Sequence, residues 1–274
     1  MSAITLRGLV NPHDPSADRQ FSMNLARGIE VLRAFTPGNP ILGNHELSSI
    51  TGLPKPTISR LTYTLSLLGY LNHDSHLRKY RLGAGVLALG HPLLASMRVR
   101  QLAKPIMASL AAATGCSVNL GVRDRDTVVY IDSVRADTAN QYLPDIGSSR
   151  PLLLSSIGRA LIVSSPPELR TEIINYLKVL DPNAFRTAQA LLSDDQKRFS
   201  NEGYCYSRGD WHPEVHAIAV PIRCPRGELP IAMNCTRIAI HADGGDGLRR
   251  VVPFLKDAAH QLEISQGLDT AHPM

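Results

Sequence analysis

The sequence predicts an α+β protein with two folded parts joined by a helix. Residues 21–83 combine three short helical patterns with one hairpin pattern. Residues 84–98 form an apolar helical stretch, and residues 99–274 alternate strand pairs with amphipathic helices. This alternation is typical of a largely antiparallel sheet flanked by helices. Residues 1–20 are polar and lack an apolar signal core, so we expect a flexible leader there.

The first two helices are indicated by apolar spacing and by turn residues. The first is expected over residues 23–35, where Ser22 can cap the start. Its apolar face repeats at helical spacing through Leu25, Ile29 and Leu32. Asn44 opens a second, short helix, and Gly52 closes it because glycine readily adopts a positive φ. We expect two of its residues to point inward, namely Leu47 and Ile50.

The third helix follows a turn in the stretch LPKPTISRLTYTLSLLGYL, residues 53–71. Pro54 and Pro56 suit the start of a helix, where a missing N–H group is no loss. Apolar residues then follow at steps of three and four, and they form one inward stripe: Ile58, Leu61, Leu65 and Leu68. The opposite side carries basic and hydroxyl groups without an acid, and Gly69 ends the helix.

A basic hairpin follows the third helix, and the charge of the chain is concentrated in the same region. Strands are expected over residues 70–73 and 78–82, and alternation places Lys79 and Arg81 on one face of the second strand. Residues 21–82 hold seven Lys or Arg against three Asp or Glu, in a chain of net charge +5. Residues 103–274 hold 18 against 19. This asymmetry indicates a polyanionic partner for the N-terminal part alone.

This order of elements favours binding to duplex DNA. The third helix would lie in the major groove, braced by the second helix, with Arg60 able to bond a guanine bidentately. The hairpin would act as a wing on phosphates or the minor groove. The angle between the two helices would be held by Leu47, Ile50, Leu53, Ile58 and Leu61. The candidate DNA contacts are Lys55, Pro56, Thr57, Ser59, Arg60, Tyr63, His76, Arg78, Lys79 and Arg81.

Composition and motifs argue against several other classes. The longest apolar run, residues 84–97, falls short of the ~20 residues that span a bilayer, so we expect a cytoplasmic chain with no membrane partner. His212 and His216 are separated by Pro213 and lack further clustered ligands, so no metal site is predicted. Common catalytic motifs are absent, so we expect no catalytic residues and no cofactor. The four scattered cysteines are expected to be reduced thiols in or near the core.

The second part would offer a ligand cavity where the sheet meets a helix start. Strand pairs are expected near 116–136 and 215–240, and helices over 156–165, 167–180, 184–203 and 246–266. Ser155 or Ser156 can cap the helix that begins at SIGRA, and the first N–H groups there can face an anion. An ordinary N-cap explains the same pattern equally well. Arg150 or Arg208 can pair with a carboxylate or can be a solvated surface charge.

The chain resembles the IclR family of bacterial transcriptional regulators over residues 21 to about 265. The resemblance rests on LARGIEVLRAF, ELSSITGLPKPTISRLTYTLSLLGYL, RKYRLGAGVLALG, SIGRA and the EGY…AIAVPI segments. It implies a winged helix-turn-helix domain over 21–83 and a linker helix over 84–98. It also implies a GAF-like effector-binding and oligomerisation domain over 99–274.

The resemblance further implies a sequence-specific regulator whose operator binding is modulated by a small organic acid, aromatic or short carboxylate, and which controls a catabolic operon. Family members commonly form homodimers, or tetramers built as dimers of dimers. With the cap residue Ser155 included, the implied effector positions are Ser156, Ile157, Ser207 or Arg208, Ala217, Asn234 and Thr236. Two stretches around them depart from the usual family pattern, LLSSIGRA and CYSRGDWHPEV.

Two alternative interpretations remain open from the residues alone. The C-terminal part could be an enzyme with an unrecognised active site. Small helical units with a hairpin also occur as protein-interaction modules, and a basic helix face is often merely solvated. Neither repression nor activation is indicated by the sequence.

Overall fold

The computed structural model of the protein describes residues 19–135, 145–238 and 247–268. The chain divides into two compact units between Ser96 and Met97. The predicted α+β class is confirmed, since the first unit is helical with one hairpin and the second contains one antiparallel sheet. The predicted leader lies almost wholly outside the described residues. Within the described ranges, no helix combines the length and apolarity needed to cross a bilayer.

The first unit contains four helices and a two-stranded hairpin in its described part. They are α1 (Met23–Arg33), α2 (Asn44–Thr51), α3 (Lys55–Leu67), β1 (Leu71–Asp74), β2 (Lys79–Leu82) and α4 (Ala84–Ser96). The strands pair antiparallel, with Leu71 opposite Leu82. The turn between α2 and α3 depends on Gly52, whose φ of 70° lies in the left-handed region that glycine adopts without strain. The Ser48 hydroxyl closes this turn by donating to Leu53 O at 2.6 Å.

The core of the first unit confirms part of the predicted inward set. It is formed mainly by Val31, Leu47, Leu53, Ile58, Leu65 and Leu71. Ile50 and Leu68 were expected inward but are 53% and 61% exposed, and Leu61 is half-buried. On α3 the buried side instead includes Thr62, whose hydroxyl donates to Ile58 O at 2.9 Å. At 100° per residue, the centre of the buried stripe is therefore rotated by about 45° towards Thr62 from the stripe that the leucines indicate.

The same correction applies to α1. Leu25 and Ile29 are 64% and 43% exposed, whereas Val31 is fully buried. The predicted cap at Ser22 forms no side-chain hydrogen bond to the helix. The apolar spacing identifies the helix correctly, but it does not identify the side that meets the core, because an apolar stripe can equally serve another surface.

The second unit is built around a six-stranded sheet. Its helices are α5 (Arg98–Thr114), α6 (Ser156–Val163), α7 (Pro167–Leu180), α8 (Pro182–Glu202) and α9 (Val252–Ser265), the last preceded by a short 3-10 turn. Its strands are β3 (Ser117–Asp124), β4 (Thr127–Val134), β5 (Ser149–Pro151), β6 (Cys205–Arg208), β7 (Val215–Ile222) and β8 (Ile231–Ile238). Every pairing is antiparallel, and the strand order is β5-β4-β3-β8-β7-β6. Strand β6 was not predicted, because its four residues directly follow a long helix.

Helices cover both faces of this sheet. In β3 and β8 six consecutive residues are buried, and such runs require packing on both sides of a strand. Helix α6 packs on the face that carries Val128, Tyr130 and Ala232, with α7 and α8 behind it. Helices α5 and α9 contact each other and the central strands. The four cysteines are free, as predicted; Cys224 is half-buried and the other three are buried.

A fully buried arginine on α6 connects four segments of the second unit. Arg159 Nε donates to Asp195 Oδ2 on α8 at 2.6 Å. Its Nη1 donates to Leu153 O at 2.7 Å, before the start of α6. Its Nη2 donates to Tyr206 O on β6 at 2.8 Å and to Asp210 Oδ2, after β6, at 2.7 Å. A buried charge is tolerated when it is paired and hydrogen-bonded in this way.

We predict that Arg159→Met lowers the free energy of unfolding of the second unit by about 3–5 kcal/mol, because Asp195 would stay buried without its main counter-charge. Urea denaturation measures the change. Arg198→Met is the matched control: Arg198 also pairs with Asp195, but its side chain is 23% exposed, and a loss on the order of 1 kcal/mol is expected. Equal, small losses in both variants would contradict the structural role of Arg159.

Candidate functional site

The outward side of α3 is exposed as the DNA-binding prediction requires. Lys55, Pro56, Ser59, Arg60 and Tyr63 are exposed, and Thr57 is half-buried. The exposed fraction of Tyr63 is 65%. Buried Ile58, Thr62 and Leu65 on the opposite side hold the helix against its neighbours. The structure therefore brings these six predicted residues together on one surface, here called the α3 face.

The ion pairs of the first unit leave the α3 face positive. Residues 21–82 contain three acids, and each of them forms an ion pair with one cation. The pairs are Glu30–Arg33, Glu46–Lys79 and Asp74–Arg81. Lys55, Arg60 and Arg78 take part in no ion pair within the described residues. The excess positive charge is thus located at the start and middle of α3, at the hairpin and at Arg27 of α1, which also takes part in no ion pair among the described residues.

The hairpin, residues 71–82, is here called the wing, and it is fixed to the body of the unit. Its second strand forms two backbone bonds with Leu42, from Leu42 N to Tyr80 O and from Tyr80 N to Leu42 O, at 3.0 and 2.8 Å. Lys79 pairs with Glu46, which also accepts from Gly43 N at 2.6 Å at the start of α2. The hydrogen bond from Lys79 lowers the pKa of Glu46. The wing therefore has a fixed position relative to α2.

The tip of the wing is ordered by one carboxylate. Asp74 Oδ1 accepts from the backbone N–H groups of His76 and Leu77, both at 3.0 Å, and the bond from Leu77 is the largest cause of its lowered pKa. His76 and Arg78 are exposed at the tip, and Arg78 has a φ of 51°. Among the predicted wing contacts, Lys79 and Arg81 would have to share their charge with an acid of the protein, whereas Arg78 would not.

The second unit contains a small cavity of about 40 Å³ where the start of α6 meets the sheet. It is lined by six predicted effector residues, Ser155, Ser156, Ser207, Ala217, Asn234 and Thr236. The remaining lining residues are Tyr130, Arg150, Leu154, Trp211, His212 and Val215. The lining contains one arginine and no carboxylate, so it favours an anion over a cation.

The two serines at the start of α6 have different roles. Ser155 is the N-cap: its Oγ accepts from Gly158 N at 3.2 Å and donates to Pro151 O at 2.9 Å. Ser156 is 1% exposed, and its hydroxyl has no hydrogen-bond partner within the described residues. A buried hydroxyl without a partner is costly, and here it lines the cavity. Ser156 is therefore the donor available to a ligand, whereas Ser155 and the N–H group of Gly158 are already used.

A row of hydrogen-bonded polar side chains crosses the sheet and ends at Asn234, which lines the cavity. Ser133 Oγ donates to Asn119 Oδ1 at 2.8 Å, and Asn119 Nδ2 donates to Asn234 Oδ1 at 2.9 Å. Asn234 also hydrogen-bonds Tyr130, whose pKa is raised to about 12 by burial. The phenol is therefore neutral, and the orientation of Asn234 is fixed by both neighbours. Thr236 Oγ1 donates to Ser117 O at 3.3 Å.

Two predicted effector residues do not line the cavity. Ile157 is fully buried, and its side chain lies against β3, where a Cβ at Gly121 would be 3.0 Å from Ile157 Cδ1. Arg208 is exposed on β6, so of the alternatives Ser207 and Arg208 the structure brings Ser207 to the cavity. Arg150, considered from the sequence as a possible partner of a carboxylate, does line it.

The sequence analysis missed most of the aromatic lining. Tyr130 could have been found from alternation, since it shares a face of β4 with Val128. Trp211 and His212 lie in the connection from β6 to β7, so predicting them requires β6 to be recognised. Gly209, with a φ of 78°, and Pro213 were the available signals of a tight turn there.

Comparison with known proteins decides the family. A family model described as "Bacterial transcriptional regulator IclR C-terminal" matches residues 91–264, more than half of the chain. The chain belongs to the IclR family. A second family model, "IclR helix-turn-helix domain", matches residues 24–75 and so includes α1 without its first residue, α2, α3 and the wing's first strand. The family consists of DNA-binding transcriptional regulators and not of enzymes, so the enzyme alternative is dropped.

Relatives of this IclR-family chain cover most of its length. It is 34% identical over 223 residues to the HTH-type transcriptional regulator TsaQ1/TsaQ2 of Comamonas testosteroni, covering 81% of this chain and 77% of the relative. The crystal structure of an IclR family transcriptional regulator from Brucella abortus matches with a TM-score of 0.81 at 35% identity, covering 97% and 99% of the two chains. An IclR homolog from Microbacterium hydrocarbonoxydans, complexed with 4-hydroxybenzoate, matches with a TM-score of 0.66 at 25% identity, covering 89% and 99%.

No metal centre is placed in this site. Among the described residues no three or more His, Cys, Asp or Glu side chains lie close enough to hold an ion. His212 lines the cavity, whereas His216 lies on the neighbouring strand β7 with its ring on the other face from Ala217.

Proposed function

We propose that this IclR-family regulator binds its operator through the α3 face and the wing, and that a small organic acid in the cavity modulates that binding. The acid would be an aromatic or short carboxylate, and the operon would be a catabolic one that acts on it. The observation that carries the ligand half of the proposal is the buried hydroxyl of Ser156, which has no partner within the described residues and lines a cavity without carboxylates.

The DNA half of the proposal rests on the α3 face. Arg60 is exposed in the middle of α3 and takes part in no ion pair among the described residues, so its guanidinium is available for a guanine. Lys55 lies in the first turn, where phosphate oxygens are also attracted by helix N–H groups. His76 and Arg78 at the tip of the wing would contact phosphates.

The acid half is supported by charge and by a homologue. Arg150 lines the cavity and is half-buried, and this burial lowers its pKa. A ligand carboxylate would offset the cost of burying that charge. The homologue from Microbacterium hydrocarbonoxydans is a complex with 4-hydroxybenzoate, which is an aromatic acid.

The proposed assembly is a homodimer, or a tetramer built from two dimers. Helix α4 has no buried residue, and its leucines Leu87, Leu89 and Leu93 are 76%, 62% and 53% exposed. Leu25 and Ile29 of α1 are exposed in the same unit. A second copy of the chain would cover this apolar surface. As a regulator of bacterial genes, the protein would act in the cytoplasm.

We predict that Arg60→Ala weakens binding to the operator by about 1–3 kcal/mol and binding to unrelated DNA by less, because a bidentate guanine contact is lost. Fluorescence anisotropy at fixed salt would compare a fragment from upstream of the gene's own or neighbouring operon with a scrambled fragment of equal length. Arg33→Ala is the control, since it removes the same charge from the end of α1 and should leave the ratio of the two affinities unchanged. Equal weakening of both fragments by Arg60→Ala would reject the base contact.

We predict that the two serine variants differ: Ser155→Ala lowers stability, whereas Ser156→Ala weakens the binding of the acid. Ser155→Ala removes the cap of α6 and should lower the free energy of unfolding by about 1 kcal/mol. Ser156→Ala removes an unpartnered buried hydroxyl and should leave stability unchanged or improved, yet weaken the acid. A thermal-shift screen of aliphatic and aromatic acids measures both effects, since ligand at 100 times its Kd stabilises by about 2.7 kcal/mol. Loss of stability in Ser156→Ala without ligand would contradict the assignment of Ser156 as a ligand donor.

A further inference from the structure

Two of the side chains that line the cavity come from opposite edges of the sheet. Strands β5 and β6 are the two outermost strands in the order β5-β4-β3-β8-β7-β6. Arg150 belongs to β5, and Trp211 follows β6. The guanidinium carbon of Arg150 nevertheless lies 4.2 Å from the centroid of the Trp211 ring and 5.9 Å from that of Tyr130. The two sheet edges therefore meet over the cavity through a cation–π contact.

The cavity as it stands is too small for an aromatic acid. Its volume of about 40 Å³ is far below the roughly 300 Å³ at which ordinary ligand pockets begin. Any effector larger than a few atoms must therefore displace part of the lining.

The backbone around Trp211 is held in place, so side-chain rotation is the simplest opening. Asp210 accepts from Arg159 Nη2 at 2.7 Å. Gly209 N donates to Val215 O at 3.1 Å. A Cβ at Gly209 would be only 2.8 Å from Pro213 O, so the turn is tightly closed. Trp211 itself is 37% exposed, so its ring is not enclosed by packing, and the Arg150 side chain stacked on it can leave without a change of the backbone.

We propose that Arg150 and Trp211 form a latch that makes the effector site selective for planar aromatic monocarboxylates. This inference rests on the proposed function, namely that the cavity binds an organic acid. On binding, the Arg150 guanidinium leaves the face of Trp211 and bonds the ligand carboxylate. The aromatic ring of the ligand then takes the place of the guanidinium against the Trp211 ring.

An aromatic carboxylate suits both changes, the transfer of the guanidinium to the carboxylate and its replacement by the ligand ring on Trp211. A guanidinium forms shorter and stronger hydrogen bonds to a carboxylate than its contact with a neutral ring provides. The vacated indole face is matched by a flat ring in offset-stacked contact, which an aliphatic chain of the same charge cannot supply. Ser156 and Asn234 on the adjoining walls offer polar groups to the rest of the ligand.

The test uses the single tryptophan of the chain, which is Trp211. Benzoate and cyclohexanecarboxylate carry the same charge and differ in the flat ring. We expect benzoate to change the tryptophan emission of the full-length protein saturably, at the concentrations that stabilise it thermally. Cyclohexanecarboxylate should bind about threefold to tenfold more weakly, which is the size of an aromatic pair contribution. Isothermal titration calorimetry supplies the affinities independently of fluorescence.

Three variants make the test specific. Arg150→Gln should weaken benzoate by at least about tenfold, since hydrogen bonds to a charged group contribute that much. Arg208→Gln is the matched control, because Arg208 is exposed and does not line the cavity. Trp211→Leu should remove the preference for benzoate over cyclohexanecarboxylate in calorimetry, and Trp211→Phe should retain most of it.

The outcomes separate the latch from the proposed function. Benzoate binding that leaves the tryptophan emission unchanged, or that survives Arg150→Gln undiminished in a folded variant, overturns the latch and leaves the acid site standing. The same holds if Trp211→Leu keeps the preference for benzoate. If neither acid nor any other tested carboxylate stabilises the wild-type protein, the acid site and the latch both fall.

Discussion

The ion pair and hydrogen bonds of the buried Arg159 guanidinium are the interactions on which the geometry of the cavity depends. The guanidinium joins the start of α6, the helix α8, the strand β6 and the turn that carries Trp211. Asp195 completes the arrangement, since its other oxygen accepts from Tyr206 N at 3.0 Å and from Arg198. A charge this deep is stable only while all of these bonds persist. The walls of the cavity are therefore positioned relative to each other by one polar centre rather than by apolar packing alone.

The first unit uses charge in a different way. Its acids stabilise its own elements: Glu46 binds the wing to the start of α2, and Asp74 orders the wing tip. Each acid also binds one cation, and three of the four remaining cations, Lys55, Arg60 and Arg78, lie on the surface that would meet DNA. Intramolecular ion pairs at exposed sites contribute little to stability, so a phosphate group could compete with them at small cost. The first unit thus stabilises its own elements with few acids and keeps a basic surface.

The sequence allowed the local elements to be predicted because their signals are local. Gly52 and Gly69 end helices through positive φ values, and short apolar runs bounded by turn residues mark the strands of the β3–β4 and β7–β8 pairs. The inward sides were less predictable, as Thr62 shows: its hydroxyl is satisfied by the helix backbone, so a polar residue can occupy the core. Arg150 and Trp211 meet only because the two ends of a six-stranded sheet approach each other, and no periodicity in the sequence contains that information.

The central claim is that occupancy of the cavity changes the affinity for DNA. The most direct measurement compares the Kd of the purified full-length protein for its operator without acid and at saturating acid, at one salt concentration, using an acid shown by calorimetry to bind. If occupancy of the cavity is coupled to DNA binding, the Kd should change by about fivefold or more, the usual lower limit of coupling between two sites. An unchanged Kd at saturating acid would contradict it.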